Sequence, residues 1–404
     1  MQDDQLSGKK IILGVTGGIA AYKACRLTRE LIKRGAEVKV VMTPSALQFV
    51  QPLTFSSLSK NDVVVNIFPD SQLNGASMKT WHIDLALWAD LMIIAPCTVN
   101  TVAKIAAGFS DNALLTVVSA LRSPLLIAPA ADMDMYDNKI SQKNFQLLEE
   151  MGCSFVMAEK GELASGLEGD GRLAGIDKII DAAEIILSGY NKDLQNKKIL
   201  ITAGPTNEDI DPVRFIGNRS SGKMGYNLAK AAFLRGADVT LISGPVHENI
   251  YPEIKLINVR SASDMKLAVH KEIKNNNILI MAAAVADYKP AQIASKKLKK
   301  EDKLDQIKLT PTDDILSSLT SAGIKLIGFA LETHNEKANA LKKLKNKNLD
   351  MIVLNSLKDE NSGFEYNTNR ITVIHKNGKP VVFPLMSKFQ AANIIISEIL
   401  KSNG

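Results

Sequence analysis

The 404-residue chain has three cysteines, few aromatics and no long apolar run. Each shortage excludes something. Cys25, Cys97 and Cys153 are odd in number and lack metal-ligand spacing. Neither a disulfide framework nor a cysteine-ligated metal is expected, and the thiols read as those of a reduced, cytoplasmic chain. Aromatic residues are 5% of the chain and no basic run is interleaved with them. That leaves no stacking surface for single-stranded nucleic acid. No stretch of 18 apolar residues occurs, so no membrane-spanning helix is expected. The opening MQDDQLSGKK has no apolar signal-peptide core.

What is present is the composition of a globular protein: 46% hydrophobic and 23% charged. At roughly 150 residues per domain, two or three domains fit. The net charge of +6 hides an asymmetry. Residues 1–190 carry 17 basic and 21 acidic side chains, and residues 191–404 carry 32 and 22. The second half is therefore the expected host of a polyphosphate or other anion.

One pattern occurs twice. Residues 9–42 read KKIILGVTGGIAAYKACRLTRELIKRGAEVKVVM, and residues 197–242 again begin with two lysines and a β-branched run. Each then has a glycine-rich turn, an apolar helical stretch, the phrase Arg-Gly-Ala-acid-Val and a second apolar run. Strand, glycine turn, helix, glycine cap, strand opens a doubly wound α/β sheet. We therefore expect two Rossmann-like parallel-sheet domains in tandem, 1–190 and 191–404, joined near Ser188–Lys197. Further strands are expected at Ala89–Ala95, Leu125–Ala128, Ile278–Ala283, Lys325–Ala330 and Asp350–Leu354. A helix is expected to open at Ala103–Ala107, and Lys296 to Lys308 to form a mobile loop.

Gly14-Val15-Thr16-Gly17-Gly18 sits where the first strand meets its helix. Glycines there let a backbone approach a phosphate at the positive end of the helix. The dinucleotide fingerprint GxGxxG is poorly matched, and no acidic residue ends the second strand, where Val41-Met42-Thr43-Pro44 stands. Thr43 suits a phosphate or flavin edge better than a ribose. A tight turn without a ligand gives the same local pattern. In the second half Ser220, Ser221 and Gly222 precede a helix as an N-cap and anion cradle would, and equally as a plain capped start. His82, placed just before a helix, could serve as a base near neutral pH or as a surface histidine. The cluster Lys296, Lys297, Lys299 and Lys300 is by itself a solvated face.

Taken together, the motifs resemble one family. GVTGGIAAYK (14–23), HIDL (82–85), APCTVNTVAKIAAGFSDN (95–112) and PAADMDMY (129–136) lie in the first half. ITAGPTNEDIDPVRFIGNRSSGKMG (201–225), AAAVADY (282–288), KLKK (297–300), GFALET (328–333) and KNLDMIVLN (347–355) lie in the second. This order resembles the bifunctional flavoproteins of coenzyme A biosynthesis, which join a phosphopantothenoylcysteine decarboxylase to a phosphopantothenate–cysteine ligase. The resemblance implies FMN at Gly17, Gly18 and Ile19, with Thr43, Thr98 and Asn100 nearby and His82 as the active-site histidine. FMN would take up and return the electrons of the cysteinyl thiol, with no net redox change. For the ligase half it implies 4'-phosphopantothenate, L-cysteine and CTP as substrates, with Mg2+. Asn218 would hold the acyl-cytidylate, and Ser220, Ser221 and Gly222 the anion. Met281, Ala282, Ala283, Asp287, Asp313, Asp314, Ile315, Leu316, Phe329, Lys343 and Lys347 would form the CTP site, with Lys297 on a mobile loop. A homo-oligomer is implied as well.

Two positions depart from the family pattern. Asp132 stands where an asparagine that clamps the substrate is usual, and when ionised it donates no amide N–H. Ser165 stands where a proton-donating cysteine is usual, and it is a far weaker acid. The expected substitute is a water relay from Ser165 ending on Asp132 or on solvent. Three rival readings remain at this level. They are a nicotinamide-dependent reductase, a ligase whose flavin half has lost decarboxylation through Asp132 and Ser165, and a noncatalytic flavin-binding regulator.

Overall fold

The computed structural model describes residues 6–68, 80–299, 306–319, 323–332, 334–356 and 366–401. Lys300 and Thr333 of the quoted motifs, and residues 301–305 of the lysine-rich loop, lie outside them. The chain divides into two units, Asp4–Gly189 and Tyr190–Gly404 with the first three residues.

The first unit runs β1 (Lys10–Val15), α1 (Ala21–Lys33), β2 (Glu37–Met42), α2 (Pro52–Ser59), β3 (Val63–Val64), α3 (Trp81–Trp88), β4 (Leu91–Cys97), α4 (Val99–Ala106) and α5 (Ala113–Ala120). It continues with β5 (Leu125–Pro129), α6 (Met133–Tyr136), α7 (Lys139–Glu150), β6 (Ser154–Phe155), the hairpin β7 (Glu159–Glu162) and β8 (Glu168–Arg172), and α8 (Ile176–Leu187). The sheet order is β3-β2-β1-β4-β5-β6, and every pair is parallel. Each residue of β4, LMIIAPC, is buried, as a central parallel strand covered on both faces requires. Burial of each large side chain there is worth roughly 1.5–3 kcal/mol. One face packs under α1, α2 and α8; the other packs under α3, α4, α5 and α7.

The repeated Arg-Gly-Ala phrase has a backbone reason. In α1 the buried residues Ala21, Ala24, Leu27, Thr28 and Leu31 make one stripe at helical spacing. The helix ends at Arg34, and Gly35 turns the chain with φ +84°. A side chain there would also meet Ser7. Gly236 repeats the turn with φ +93° in the second unit.

The second unit begins β9 (Lys198–Ala203), β10 (Asn207–Asp209), β11 (Phe215–Gly217), α9 (Lys223–Leu234), β12 (Asp238–Ser243), β13 (Lys255–Asn258), α10 (Ala262–Glu272), β14 (Ile278–Met281), β15 (Tyr288–Pro290) and β16 (Leu309–Pro311). It ends β17 (Lys325–Glu332), α11 (Glu336–Asn346), β18 (Met351–Ser356), β19 (Thr368–Asn369), β20 (Ile371–His375), β21 (Val381–Val382), β22 (Met386–Ser387) and α12 (Lys388–Lys401). Its main sheet, β13-β12-β9-β14-β17-β18-β20-β21, repeats the strand order of the first unit across its first six members. It then adds two antiparallel strands. The parallel doubly wound fold expected from the repeat is thus extended by a mixed edge.

Several local expectations shift. The helix expected at Ala103 starts at Val99, because the Thr98 side chain caps it by accepting from Thr101 N–H. His82 lies inside α3 rather than before it. The lysine-rich segment links β15 to β16, which pair as an antiparallel hairpin.

Candidate functional sites

In an open α/β sheet, ligands bind beyond the carboxyl ends of the strands where the strand order reverses. In the first unit that point lies between β1 and β4. Thr16 ties the two turns together there. Its hydroxyl donates to Pro96 O at 2.8 Å and accepts from Thr98 N–H at 3.0 Å. A Cβ at Gly17 would fall 2.9 Å from the backbone carbon of Ser45, so only glycine fits against the turn after β2. Thr43 opens that turn and is buried, and its Oγ1 has no hydrogen-bond partner. Gly18, Ile19, Thr98 and Asn100 complete the rim, with Ile19 60% exposed. No acidic residue lies in the first turn of α1. The FMN residues expected from the sequence therefore share one edge, around a glycine turn, a positive helix end and an unsatisfied hydroxyl. Thr16 and Ser45 were not singled out in the sequence; a buried threonine carries no pattern that announces its role.

His82 belongs to the same edge by topology. A helix that leads into a parallel strand runs against it, so the start of α3 lies at the carboxyl end of β4. The imidazole is half-buried, edge-on to Trp81 with centroids 5.6 Å apart. The Trp81 indole is fixed by donation to Ile67 O at 3.0 Å.

Asp132 precedes α6 and makes no capping bond with its side chain. The β7–β8 hairpin is rooted beside it. Ala131 N donates to Gly171 O at 3.0 Å. Gly171, at φ +139°, lies so close to the Ala131 carbonyl oxygen that a Cβ would overlap it. Ser165 occupies the opposite end, in the exposed turn, where its Oγ accepts from Leu167 N–H at 3.4 Å. From that turn the chain returns to the root at Gly171 along the first four residues of β8, Glu168 to Gly171. Ser165 is exposed in this turn, so the solvent ending of the expected relay is open to it.

In the second unit a cavity of about 630 Å³ opens at the equivalent edge, between β9 and β14. That volume suits a nucleotide-sized ligand. Asn218, Ser220, Ser221 and Gly222 line it, as do Met281, Ala282, Ala283 and Asp287. So do Asp313, Asp314, Ile315, Leu316, Phe329, Lys343 and Lys347. These residues span much of the second half, and the fold brings them around one cavity. Asn218 donates its amide to Ala284 O and Val285 O at 3.1 and 3.0 Å, holding the turn after β14. Thr202 and Thr206 hydroxyls accept from Ala283 and Ala286 N–H and brace it from below.

The serines do not cap α9 as expected. Gly222 is the N-cap, at φ +76° with no side-chain bond, and Ser220 Oγ instead accepts from Gly222 N–H at 3.3 Å. On the opposite face Lys343 donates to Phe329 O at 2.8 Å. Lys347 pairs with Asp314 and with Ser317 Oγ. Lys266 pairs with Asp313 at 2.8 Å and holds its carboxyl below the usual range. Lys297 is exposed and does not line the cavity. Among the described residues no group of three His, Cys, Asp or Glu is placed to hold a metal ion.

Other lining residues were not assigned a site role in the sequence, among them two lysines and two asparagines. Lys223, Asn355, Asn369 and Lys388 meet in the cavity from α9, β18, β19 and α12. Asn355 Oδ1 is buried without a partner. Lys388 is 5% exposed; burial, and then the nearby Lys223 charge, push its ammonium down to about 8.

Two Rossmann-like units, one with a glycine turn at its switch point and one with a nucleotide-sized cavity, define a tandem α/β class with two separate ligand edges. Residues 1–187 match the family described as Flavoprotein, and residues 194–402 match the DNA/pantothenate metabolism flavoprotein C-terminal domain. The chain belongs to the family of the coenzyme A biosynthesis bifunctional protein CoaBC. It is 43% identical over 398 residues to the member from Bacillus subtilis (strain 168), covering 98% of this chain and 97% of that one. It is also 46% identical over 362 residues to a cysteine/cysteine sulfinic acid decarboxylase from an unknown prokaryotic organism, covering 87% of this chain and 99% of that one. A crystal structure of the C-terminal domain of a CoaBC protein is 42% identical with a TM-score of 0.44, covering 51% of this chain and 95% of that one.

Proposed function

We propose that residues 191–404 join cysteine to 4'-phosphopantothenate at the expense of CTP, and that residues 1–190 decarboxylate the product with FMN. The observation that carries the reading is the second-unit cavity, which is lined by the dispersed residues of the expected CTP site other than Lys297.

In the ligase step a substrate carboxylate oxygen bonds to the α-phosphorus of CTP and pyrophosphate leaves. The cysteine amine then attacks the acyl carbon and CMP leaves. The turn held by Asn218 lines the place where the mixed anhydride would lie. Lys343 and Lys347 face the nucleotide, and Ser220 to Gly222 with the start of α9 offer donors to phosphate oxygens. Lys297 would reach the developing charge from its loop. Asp313 and Asp314 are each paired with a lysine, so we assign Mg2+ to the triphosphate itself.

In the decarboxylase step FMN supplies the electron uptake and return that make loss of CO2 feasible. Gly17, Gly18 and Ile19 would receive its phosphate, and the Thr43 hydroxyl would gain a partner. His82 would take the thiol proton, and Asp132 would face the substrate at the hairpin root. The enzyme would work in the cytoplasm as a homo-oligomer.

One assay tests both steps: phosphopantothenate, cysteine, Mg2+ and each nucleoside triphosphate, with pyrophosphate and CO2 followed. CTP-dependent pyrophosphate followed by CO2 is expected. CO2 from free cysteine alone would instead align the first unit with the cysteine decarboxylase relative. The absence of pyrophosphate with every nucleotide would refute the ligase.

A further inference from the structure

The segment that carries Lys297 is gripped at one residue by an ion pair on another loop. Asp211 lies between β10 and β11 and is 1% exposed. Its Oδ1 accepts from the backbone N–H of Val213 and Arg214 at 2.8 and 2.9 Å. Its Oδ2 accepts from Arg214 Nε at 3.0 Å and from the Leu298 N–H at 3.2 Å. Arg214 then donates from its other nitrogen to Leu298 O at 2.7 Å. The N–H and the C=O of Leu298 are thus both held by one Asp–Arg pair, more than 80 residues away in the chain. A further bond, Ala294 N–H to Ile210 O at 2.9 Å, fixes the same segment to the same loop. Lys297 itself remains exposed.

The arrangement is unusual for a surface loop, whose backbone groups ordinarily face water. Charged acceptors and donors make the stronger hydrogen bonds, and a buried carboxylate needs several of them. Asp211 has them: the Arg214 guanidinium, followed by the Val213, Leu298 and Arg214 N–H groups, holds its carboxyl well below the usual range. The grip therefore persists at any pH at which the protein works.

We infer that Asp211 is a positioning residue for the ligase step: with Arg214 it clamps Leu298 and so fixes the backbone from which Lys297 reaches the substrates. This rests on the ligase reading of Lys297, and the tests separate the two. The clamp restricts the loop before any ligand is present. Its loss lets Lys297 wander, which removes a contact made late in the reaction and leaves nucleotide binding to the cavity residues.

The test uses the full chain. Asp211→Asn keeps the shape and removes the charge. Trypsin cleavage after Lys297 and Lys299 should rise about tenfold or more, while circular dichroism and flavin absorbance stay at parent values. The ligase kcat should fall by a similar factor, with the KM for CTP changing less than about threefold. Asp211→Glu, which restores the charge, should recover part of the kcat. Cleavage at the parent rate, or unchanged kcat, overturns the inference. So does a loss confined to KM. If Asp211→Asn does not fold, hydrogen exchange on the unaltered chain decides. The Leu298 and Ala294 amides should be protected at least about tenfold over those of Lys296 and Lys297, and equal rates overturn the clamp. Lys297→Gln is the separate control. Parent ligase activity there would refute the role given to Lys297, while cleavage and exchange would still report whether the clamp exists.

Discussion

At the scale of single residues, Thr43 and Lys388 are each buried beside a site, the first as a neutral hydroxyl without a partner and the second as a charge that burial disfavours. Each is buried at the rim of a site in a way that costs stability when no ligand is bound. The Thr43 hydroxyl has no partner, a cost of about 1–3 kcal/mol. Thr43→Val removes the hydroxyl at nearly constant shape. It should stabilise the flavin-free protein by about 1 kcal/mol and weaken FMN binding roughly 5- to 30-fold, read by fluorescence titration. Unchanged FMN affinity would separate Thr43 from the flavin. Lys388 begins α12, and Lys223 begins α9. Neither helix has an acidic residue in its first turn, although the positive end of a helix favours one. The ammonium of Lys388 is pushed from 10.5 down to about 8. Its charged form is thus disfavoured by folding. The burden is fully present below pH 8 and fades as the pH rises toward 10.5. Lys388→Met should therefore raise the melting temperature of the ligand-free chain by a few degrees at pH 7. The gain over the parent should shrink across pH 8 to 10.5. A variant that melts lower at pH 7 would contradict this account.

At the scale of elements, the β7–β8 hairpin is the test of how the first unit holds its substrate. Gly171 can approach the Ala131 carbonyl only without a Cβ, and its φ of +139° is strained for any other residue. Gly171→Ala should displace the hairpin root beside Asp132. CO2 release should fall at least about tenfold, with ligase turnover and bound flavin at parent levels. Parent decarboxylation would show that the root position does not matter. His82→Asn tests the other wall of the same site. Loss of a general base costs about 10²–10⁴-fold in CO2 release, and the ligase should be untouched. These elements also show what the sequence makes legible. The strands, the glycine turns and the repeated Arg-Gly-Ala phrase are local signals, since each depends on neighbours within a few residues. The cap by Thr98 was local too, yet a threonine before Val99-Asn100 lacks the usual cap spelling, and α4 was expected late. The antiparallel pair β20 and β21 has no mark in an apolar run, because strand direction is set by the connection and not by side chains. Lys388 and Asn355 are the clearest omissions. Lys388 looks like an ordinary helix start, and Asn355 closes a quoted motif without any mark of its own, so only the tertiary fold shows that both reach the cavity.

At the scale of the whole molecule, the two halves repeat one strand order and each buries a core of its own. The acidic excess lies in residues 1–190 and the basic excess in residues 191–404, where lysines from four helices approach one cavity or its rim. A ligand that binds only the folded form stabilises it by RT ln(1 + [L]/Kd), about 2.7 kcal/mol at 100 Kd. For a unit of this size that amounts to roughly 5–10 °C. Calorimetry should therefore resolve two transitions, each answering to its own ligand. Removing FMN should lower one and leave the other in place. Adding CTP with Mg2+ should raise the second by that amount and leave the first. Thr43→Val should act only on the flavin-dependent transition, and Lys388→Met only on the other. If one transition moves with both ligands, folding of the two halves is coupled, and activity measured in one half would then depend on ligands held in the other.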